Sequence, residues 1–168
     1  MTPRPGFDDY FMGIALAVRR RADCRGSRVG AVIVVDRRIV STGYNGTAEG
    51  MANCTDGGCD RCANREKYPK GTGYDLCICV HAEQNAVLAA ARFGIPVAGG
   101  TVYTTLQPCF GCLKEMIQAK IRRVCYLDPW SHPDERLATE YQKIAARLPE
   151  GLDPIEAAAG QTLRALAL

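Results

Sequence analysis

The chain of 168 residues contains only two histidines and one tryptophan, and aromatic residues make up 7% of it. So small a supply excludes any site built from several imidazoles and makes each histidine worth examining. Long hydrophobic runs are also missing: none approaches the ~20 residues needed to span a bilayer. Neither sign of charge dominates, since 21 Lys and Arg against 18 Asp and Glu leave +3. That balance permits an anionic small molecule as substrate but does not point to nucleic acid. The first residues, "MTPRPGFDDYFMGIALAVRRR", place Asp8 and Asp9 before the apolar stretch and arginines after it. This is not the order of a secretory signal, so the cytoplasm is the expected compartment. There is no internal repeat or low-complexity segment, and the length fits one domain, expected over residues 1–168.

Cysteine, by contrast, is abundant. There are nine, five of them between Asn53 and Glu83 in "NCTDGGCDRCANREKYPKGTGYDLCICVHAE". In a reducing compartment such a count argues for metal binding or catalysis rather than disulfides, and an odd number leaves one thiol over in any full pairing.

The hydrophobic pattern places the remaining elements. Residues 8–22 read as an amphipathic helix with Asp8 capping its start. "VGAVIVV" (29–35) and "IVSTGY" (39–44), separated by "DRR", read as a hairpin. Residues 45–79 have almost no periodicity, and so long a stretch in a compact domain requires something to pin it. Then come a helix over 81–94 ending at Gly94, a strand over 100–106, a helix over 109–120, a strand over 121–127 and a helix over 134–148. The Ala-rich tail, 149–168, reads as a last helix, and no further strand is evident around "GLDPIEAAAG". Strand–helix alternation implies parallel pairing, and the hairpin adds an antiparallel pair. The expectation is a three-layer α/β/α domain with a mixed sheet.

Two short motifs carry chemistry. "HAE" puts His81 and Glu83 at one helix start, and "PCFGC" puts Cys109 and Cys112 at the next. Two cysteines three apart on a first helical turn face the same way, where the positive helix end favours thiolates. One imidazole and two thiolates give Zn²⁺ three ligands and leave a position open, the pattern of a catalytic rather than a structural site. Glu83 lies beside this set as a proton carrier. Taken singly, a lone His or a lone CxxC is weak evidence. The pair in this order is the signature of zinc deaminases.

These blocks, with "RADCRGSRVGAVIVVDRRIVSTGYNGT", "NCTDGGCDRC" and "TVYTTLQPCFGCLKEMIQAKIRRVCY", resemble the deoxycytidylate (dCMP) deaminases of the cytidine deaminase superfamily over residues 8–128. The resemblance implies that family's fold and hydrolytic removal of the 4-amino group of a cytosine ring. Water activated by zinc attacks C4, and Glu83 passes protons to N3 and to the leaving amine. It also implies that Asn45, in "GYNG", contacts the nucleotide, that relatives form hexamers or other homo-oligomers, and that some respond to dCTP and dTTP. Tyr103 is a candidate to line the pocket, with a buried strand tyrosine as the alternative. For a phosphate group, Arg25, Arg28, Arg65, Lys67 and Lys70 are candidates, with Arg28 first because it precedes the "VGAVIV" strand.

The other cysteines divide between readings. Cys125, between Val124 and Tyr126, reads as a small core residue. A second, structural zinc is expected from the remaining six, because ligation supplies the ordering the long segment lacks. One arrangement is a ribbon of Cys59, Cys62, Cys77 and Cys79. The preferred one ties the first helix to the segment through Cys24, Cys54, Cys59 and Cys77, leaving Cys62 and Cys79 spare or as replacements. Relatives with a second zinc use cysteines or histidines near these positions. The rival functions are a tRNA adenosine deaminase, a deaminase of another nucleoside or base, and a zinc module used only for binding. The first needs a basic surface, and the last has no use for Glu83.

Overall fold

The hairpin forms where the sequence places it. Strand β1 (Gly30–Val35) is β-branched and almost wholly buried, and it pairs antiparallel with β2 (Arg38–Tyr44). Asp36 and Arg37 connect them with φ of 48° and 61°. Two positive φ values in a two-residue connection match the right-handed twist of the strands. The computed structural model describes residues 4–69 and 72–155. In chain order its other strands are β3 (Gly46–Thr47), β4 (Cys79–Val80), β5 (Thr101–Leu106), β6 (Arg123–Asp128) and β7 (Leu152–Pro154). The helices are α1 (Phe7–Arg19), α2 (Asp60–Ala63), α3 (Ala82–Arg92), α4 (Phe110–Gln118) and α5 (Glu135–Ala145).

The main sheet runs β2-β1-β5-β6-β7, antiparallel as far as β5 and parallel beyond it. Alternate side chains go to opposite faces. Ala31, Ile33, Val102 and Val124 meet α3, α4 and α5 on one face. Val32, Val34, Tyr103 and Cys125 meet Phe11, Met12 and Leu16 of α1 on the other. Full burial of side chains such as Met12, Ile33, Leu113 and Met116 contributes about 1.5–3 kcal/mol each. This is the expected α/β/α sandwich with a mixed sheet. Among the described residues, no helix is long and apolar enough to cross a membrane.

Two glycines set how closely helices approach the sheet. A Cβ on Gly30 would stand 2.2 Å from Ala15 O of α1, and one on Gly43 would stand 2.1 Å from Ala82 O of α3. The Gly43 contact matters for the site, because Ala82 is the residue after His81. Ser41 Oγ donates to Ala86 O (2.7 Å) and Asn85 Nδ2 donates to Tyr44 O (2.8 Å), so α3 is fastened to β2 along its first two turns.

Two sequence expectations are corrected. Asp8 does not cap α1: Gly6 precedes the helix, and Asp8 lies within the first turn. Its carboxylate accepts from Tyr103 Oη (2.7 Å) and from both terminal nitrogens of Arg123 (2.9 and 3.0 Å). The tail begins with a strand rather than a helix. Leu152–Pro154 pairs parallel with β6 and completes the sheet, helped by the ion pair of Arg123 with Asp153 (3.1 Å). Three residues carry too little periodicity to mark a strand, and pairing alone makes it one. The rest of the expected helix, from residue 156 on, lies outside the described residues.

Candidate metal centre

The end of the hairpin and the end of the Cys-rich segment meet in a two-stranded ladder, Gly46 opposite Val80 and Thr47 opposite Cys79. The chain then turns into α3, whose N-cap is His81, and His81 N donates to Gln84 Oε1 (3.0 Å). On the neighbouring side β5 ends at Leu106 and α4 begins after Cys109, its N-cap. Gln84 Nε2 donates to Glu115 Oε1 (3.0 Å), linking the first turn of α3 to the second turn of α4. The site thus lies at two helix N-termini beyond the C-terminal end of β5, where open α/β sheets place ligands.

Here His81, Cys109 and Cys112 come together. His81 Nδ1 lies 3.4 Å from each of Cys109 Sγ and Cys112 Sγ. For Zn–N and Zn–S bonds of about 2.0 and 2.3 Å, tetrahedral ligation separates N from S by roughly 3.5 Å. The donor set therefore fits a zinc ion. A hydrogen bond from the Cys112 thiol, assisted by the His81 ring and the Cys112 N–H, holds the Cys109 thiol down to about 4 against the effect of burial. The same contact drives Cys112 up. His81 is raised, mainly by its hydrogen bond to Cys109.

Glu83 is buried on the same helix turn, 5% exposed, and Thr104 Oγ1 lies 3.2 Å from its Oε1. Burial pushes its carboxyl above the usual range despite the charge of His81 and the hydroxyl. Its place beside His81 and the cavity suits it to hand protons between groups bound there.

Next to these groups opens a cavity of about 310 Å³. Asn45 lines it and is itself held at both ends, Oδ1 accepting from Val29 N (2.7 Å) and Nδ2 donating to Ser27 O (2.7 Å). Two expected substrate contacts are not there. Tyr103 lies on the opposite face of the sheet, its ring against Phe11 and its hydroxyl on Asp8. An odd–even shift along β5 separates it from Thr104, which does reach Glu83. Arg28 is exposed and outside the lining, although its neighbours Ser27 and Val29 belong to it. Arg25, Arg65 and Lys67 are also exposed, and Lys70 lies outside the described residues.

Among the described residues, Arg61 is the arginine or lysine that lines the cavity; its guanidinium lies 4.4 Å from the Tyr74 ring centre and donates to Thr72 O (3.1 and 3.2 Å). Trp130 and His132 also line it, and Gln107 Oε1 accepts from Trp130 N (3.2 Å). Sequence reasoning missed these residues. The only tryptophan and one of two histidines, directly after a parallel strand, were a usable signal. Arg61 had none.

The expected second quartet is split. Cys24 and Cys54 gather with Cys62 and Cys79, whereas Cys59 and Cys77 gather with the same Cys62 and Cys79. The two thiols set aside as spare are central to both groups. Cys125 is fully buried in the α1-side core, as read from the sequence.

Residues 5–128 match the family model described as the cytidine and deoxycytidylate deaminase zinc-binding region. The chain belongs to this deaminase family. The deoxycytidylate deaminase of Mycobacterium phage D29 is 41% identical over 129 residues, which cover 73% of this chain and 95% of the phage protein. The deoxycytidylate deaminases of Schizosaccharomyces pombe (36% over 151 residues) and Saccharomyces cerevisiae (38% over 132) match 90% and 79% of this chain. The chain spans only 46% and 41% of those two relatives. A crystal structure of dCMP deaminase from the cyanophage S-TIM5, in complex with dCMP and dUMP, shares the fold with a TM-score of 0.68. It is 24% identical, and the match covers 92% of this deaminase-family chain and 100% of the phage chain.

Proposed function

We infer that the whole chain is one deaminase domain that converts dCMP and water to dUMP and ammonia. The observation that carries this reading is the convergence of His81, Cys109 and Cys112 on a cavity beside the buried Glu83. Relatives named deoxycytidylate deaminase support the choice of substrate. His81 Nδ1, Cys109 Sγ and Cys112 Sγ would hold the ion. What zinc supplies when bound is Lewis acidity, which makes water a nucleophile near neutral pH.

This chain's own residues do the rest. Glu83 takes one proton from the attacking water and passes it to ring N3. It then takes the second from the resulting C4 hydroxyl and delivers it to the amine, which leaves as ammonia while the C4 carbonyl forms. Thr104 holds one of its oxygens, so the carboxyl keeps its aim. Leu106 and Phe110 supply apolar wall around the ring, Asn45 orients the sugar, and Arg61 meets the phosphate at the outer end.

A second, structural zinc in the Cys-rich segment belongs to the same proposal, since six cysteines with ligand spacing pin a stretch with little regular structure. So do a cytoplasmic setting and assembly of copies, for which exposed Leu88 and Phe93 around the end of α3 offer apolar surface. The direct test is ammonia release from dCMP, dCTP, cytidine, guanine and a tRNA hairpin, with zinc counted per chain and dCTP or dTTP added as effectors. Turnover of dCMP above the others is expected. Silence on dCMP with turnover of another member would overturn the substrate.

A further inference from the structure

We propose that Cys24, Cys54, Cys59, Cys62, Cys77 and Cys79 form one binuclear thiolate centre holding two zinc ions, with Cys62 and Cys79 bridging them. The proposal deepens the reading of a structural zinc in this segment and does not depend on the reaction.

The six sulfurs fall into two sets of four, each with all its sulfurs within 4.8 Å of one another, and the sets share Cys62 and Cys79. Two tetrahedra that share an edge have this composition: two terminal thiolates on each ion and two thiolates common to both. The resolved distances agree. Cys24 Sγ lies 3.9 Å from Cys62 Sγ, a terminal–bridging pair, and Cys59 Sγ lies 3.8 Å from Cys77 Sγ, a terminal–terminal pair. Sulfurs bound to one tetrahedral zinc are separated by about 3.8 Å for Zn–S bonds of about 2.3 Å.

A single ion leaves this arrangement unexplained. Cys54 and Cys59 are both 0% exposed and belong to different sets. Whichever quartet takes one ion, a fully buried thiol is left beside it. Ordinary hydrophobic packing is a weak alternative. The buried members of this cluster are all cysteines, and among the described residues Ile78 is the one aliphatic side chain packed against them. So little apolar surface does not order a segment of this length.

The backbone also prepares the terminal positions. Gly26 N donates to Cys24 Sγ (3.3 Å) and Arg25 N donates to Cys54 Sγ (3.3 Å). The N–H groups of Cys62 and Ile78 face Cys59 Sγ, and that of Cys79 faces Cys77 Sγ. Six thiolates on two Zn²⁺ carry a formal excess of negative charge, which such N–H groups offset. The centre would join the exit of α1, the turn at Cys54, α2 and β4, two residues before His81.

The test is zinc content of the protein as isolated, by elemental analysis and native mass spectrometry. Three ions per chain are expected, two here and one at His81. A Cys59→Ser, Cys77→Ser double variant should fall to two. With ¹¹³Cd in place of zinc, two of three resonances should be coupled to each other through the bridging sulfurs. Two zinc ions per chain, with Cys59 and Cys77 open to alkylation in the native protein, would overturn the binuclear centre while leaving one structural zinc. One ion per chain would overturn both. Three ions without cadmium–cadmium coupling would rule out shared thiolates.

Discussion

The two sulfur-bearing regions of this chain are built on different principles. His81, Cys109 and Cys112 stand at the first turns of two helices; the sheet holds α3 through Gly43 against Ala82 and Ser41 to Ala86, and Gln84 to Glu115 ties α4 to α3. The six cysteines of the other region sit on α2, the two-residue strand β4, short 3-10 turns and connecting chain, where regular structure is slight. In the first region the fold positions the ligands. In the second, on the proposal of a thiolate centre, the ligands would position the fold. A reactive site profits from a framework that stays put when its ion is lost, whereas the proposed zinc centre would give the Cys-rich segment its order.

The comparison breaks most sharply at Glu83. Glu83→Gln should lower ammonia release from dCMP by about 10³-fold, in the range typical of a general acid–base group. Zinc content and melting temperature should hold, and retained turnover would remove Glu83 from the reaction. Cys54→Ala should do the reverse: the segment over residues 45–80 should be cut at least about 10²-fold faster by protease, since lost ligation costs several kcal/mol. Circular dichroism of the sheet and helices should change little. If the whole protein unfolds instead, the two regions are not independent.

Gly43→Ala tests the sheet-held side. The added methyl would stand 2.1 Å from Ala82 O and 2.4 Å from Ala86 N, so α3 must shift. A drop of about 10² in kcat is expected from a misplacement near 1 Å. Unchanged kcat would mean that Gly43 does not set the position of His81 and Glu83. Arg61→Ala should raise KM for dCMP by about tenfold with kcat little changed, in line with a lost charged hydrogen bond. Arg28→Ala should leave both alone; the opposite result would return the phosphate to Arg28.

The smallest effect lies on the far face of the sheet. Burial tends to raise the Asp8 carboxyl, but hydrogen bonds from Arg123 and Tyr103, with the charge of Arg123, hold it below its ordinary value. A carboxyl lowered by folding contributes stability that is present above its unfolded value, near 4, and is lost as pH falls through the folded one. Asp8→Asn should therefore cost about 1 kcal/mol at neutral pH, allowing for solvent screening of a partly exposed pair. The loss should shrink below pH 4 in chemical denaturation. An equal loss at all pH values would show a role in packing, not charge.

Legibility followed how local each signal was. The hairpin, α3 and α4, and the helix starts at His81 and Cys109, were readable because periodicity and punctuation act within a few residues. Asp8 misled because a carboxylate near a helix start caps in most sequences, and here a strand arginine 115 residues away claims it. Tyr103 misled because alternation along β5 says that neighbours face opposite ways but not which one faces the site. The short β7 was invisible, since only its pairing with β6 creates it.

The sequence by itself determined the donor types, the helix starts that carry them and the alternation that yields a three-layer α/β fold, because these depend on neighbours along the chain. Only the tertiary structure decided which face of β5 serves the site, that Arg61, Trp130 and His132 rim the cavity, and how six cysteines divide into two sets sharing a pair. Those outcomes depend on distances between residues far apart in the chain, which no local spacing encodes.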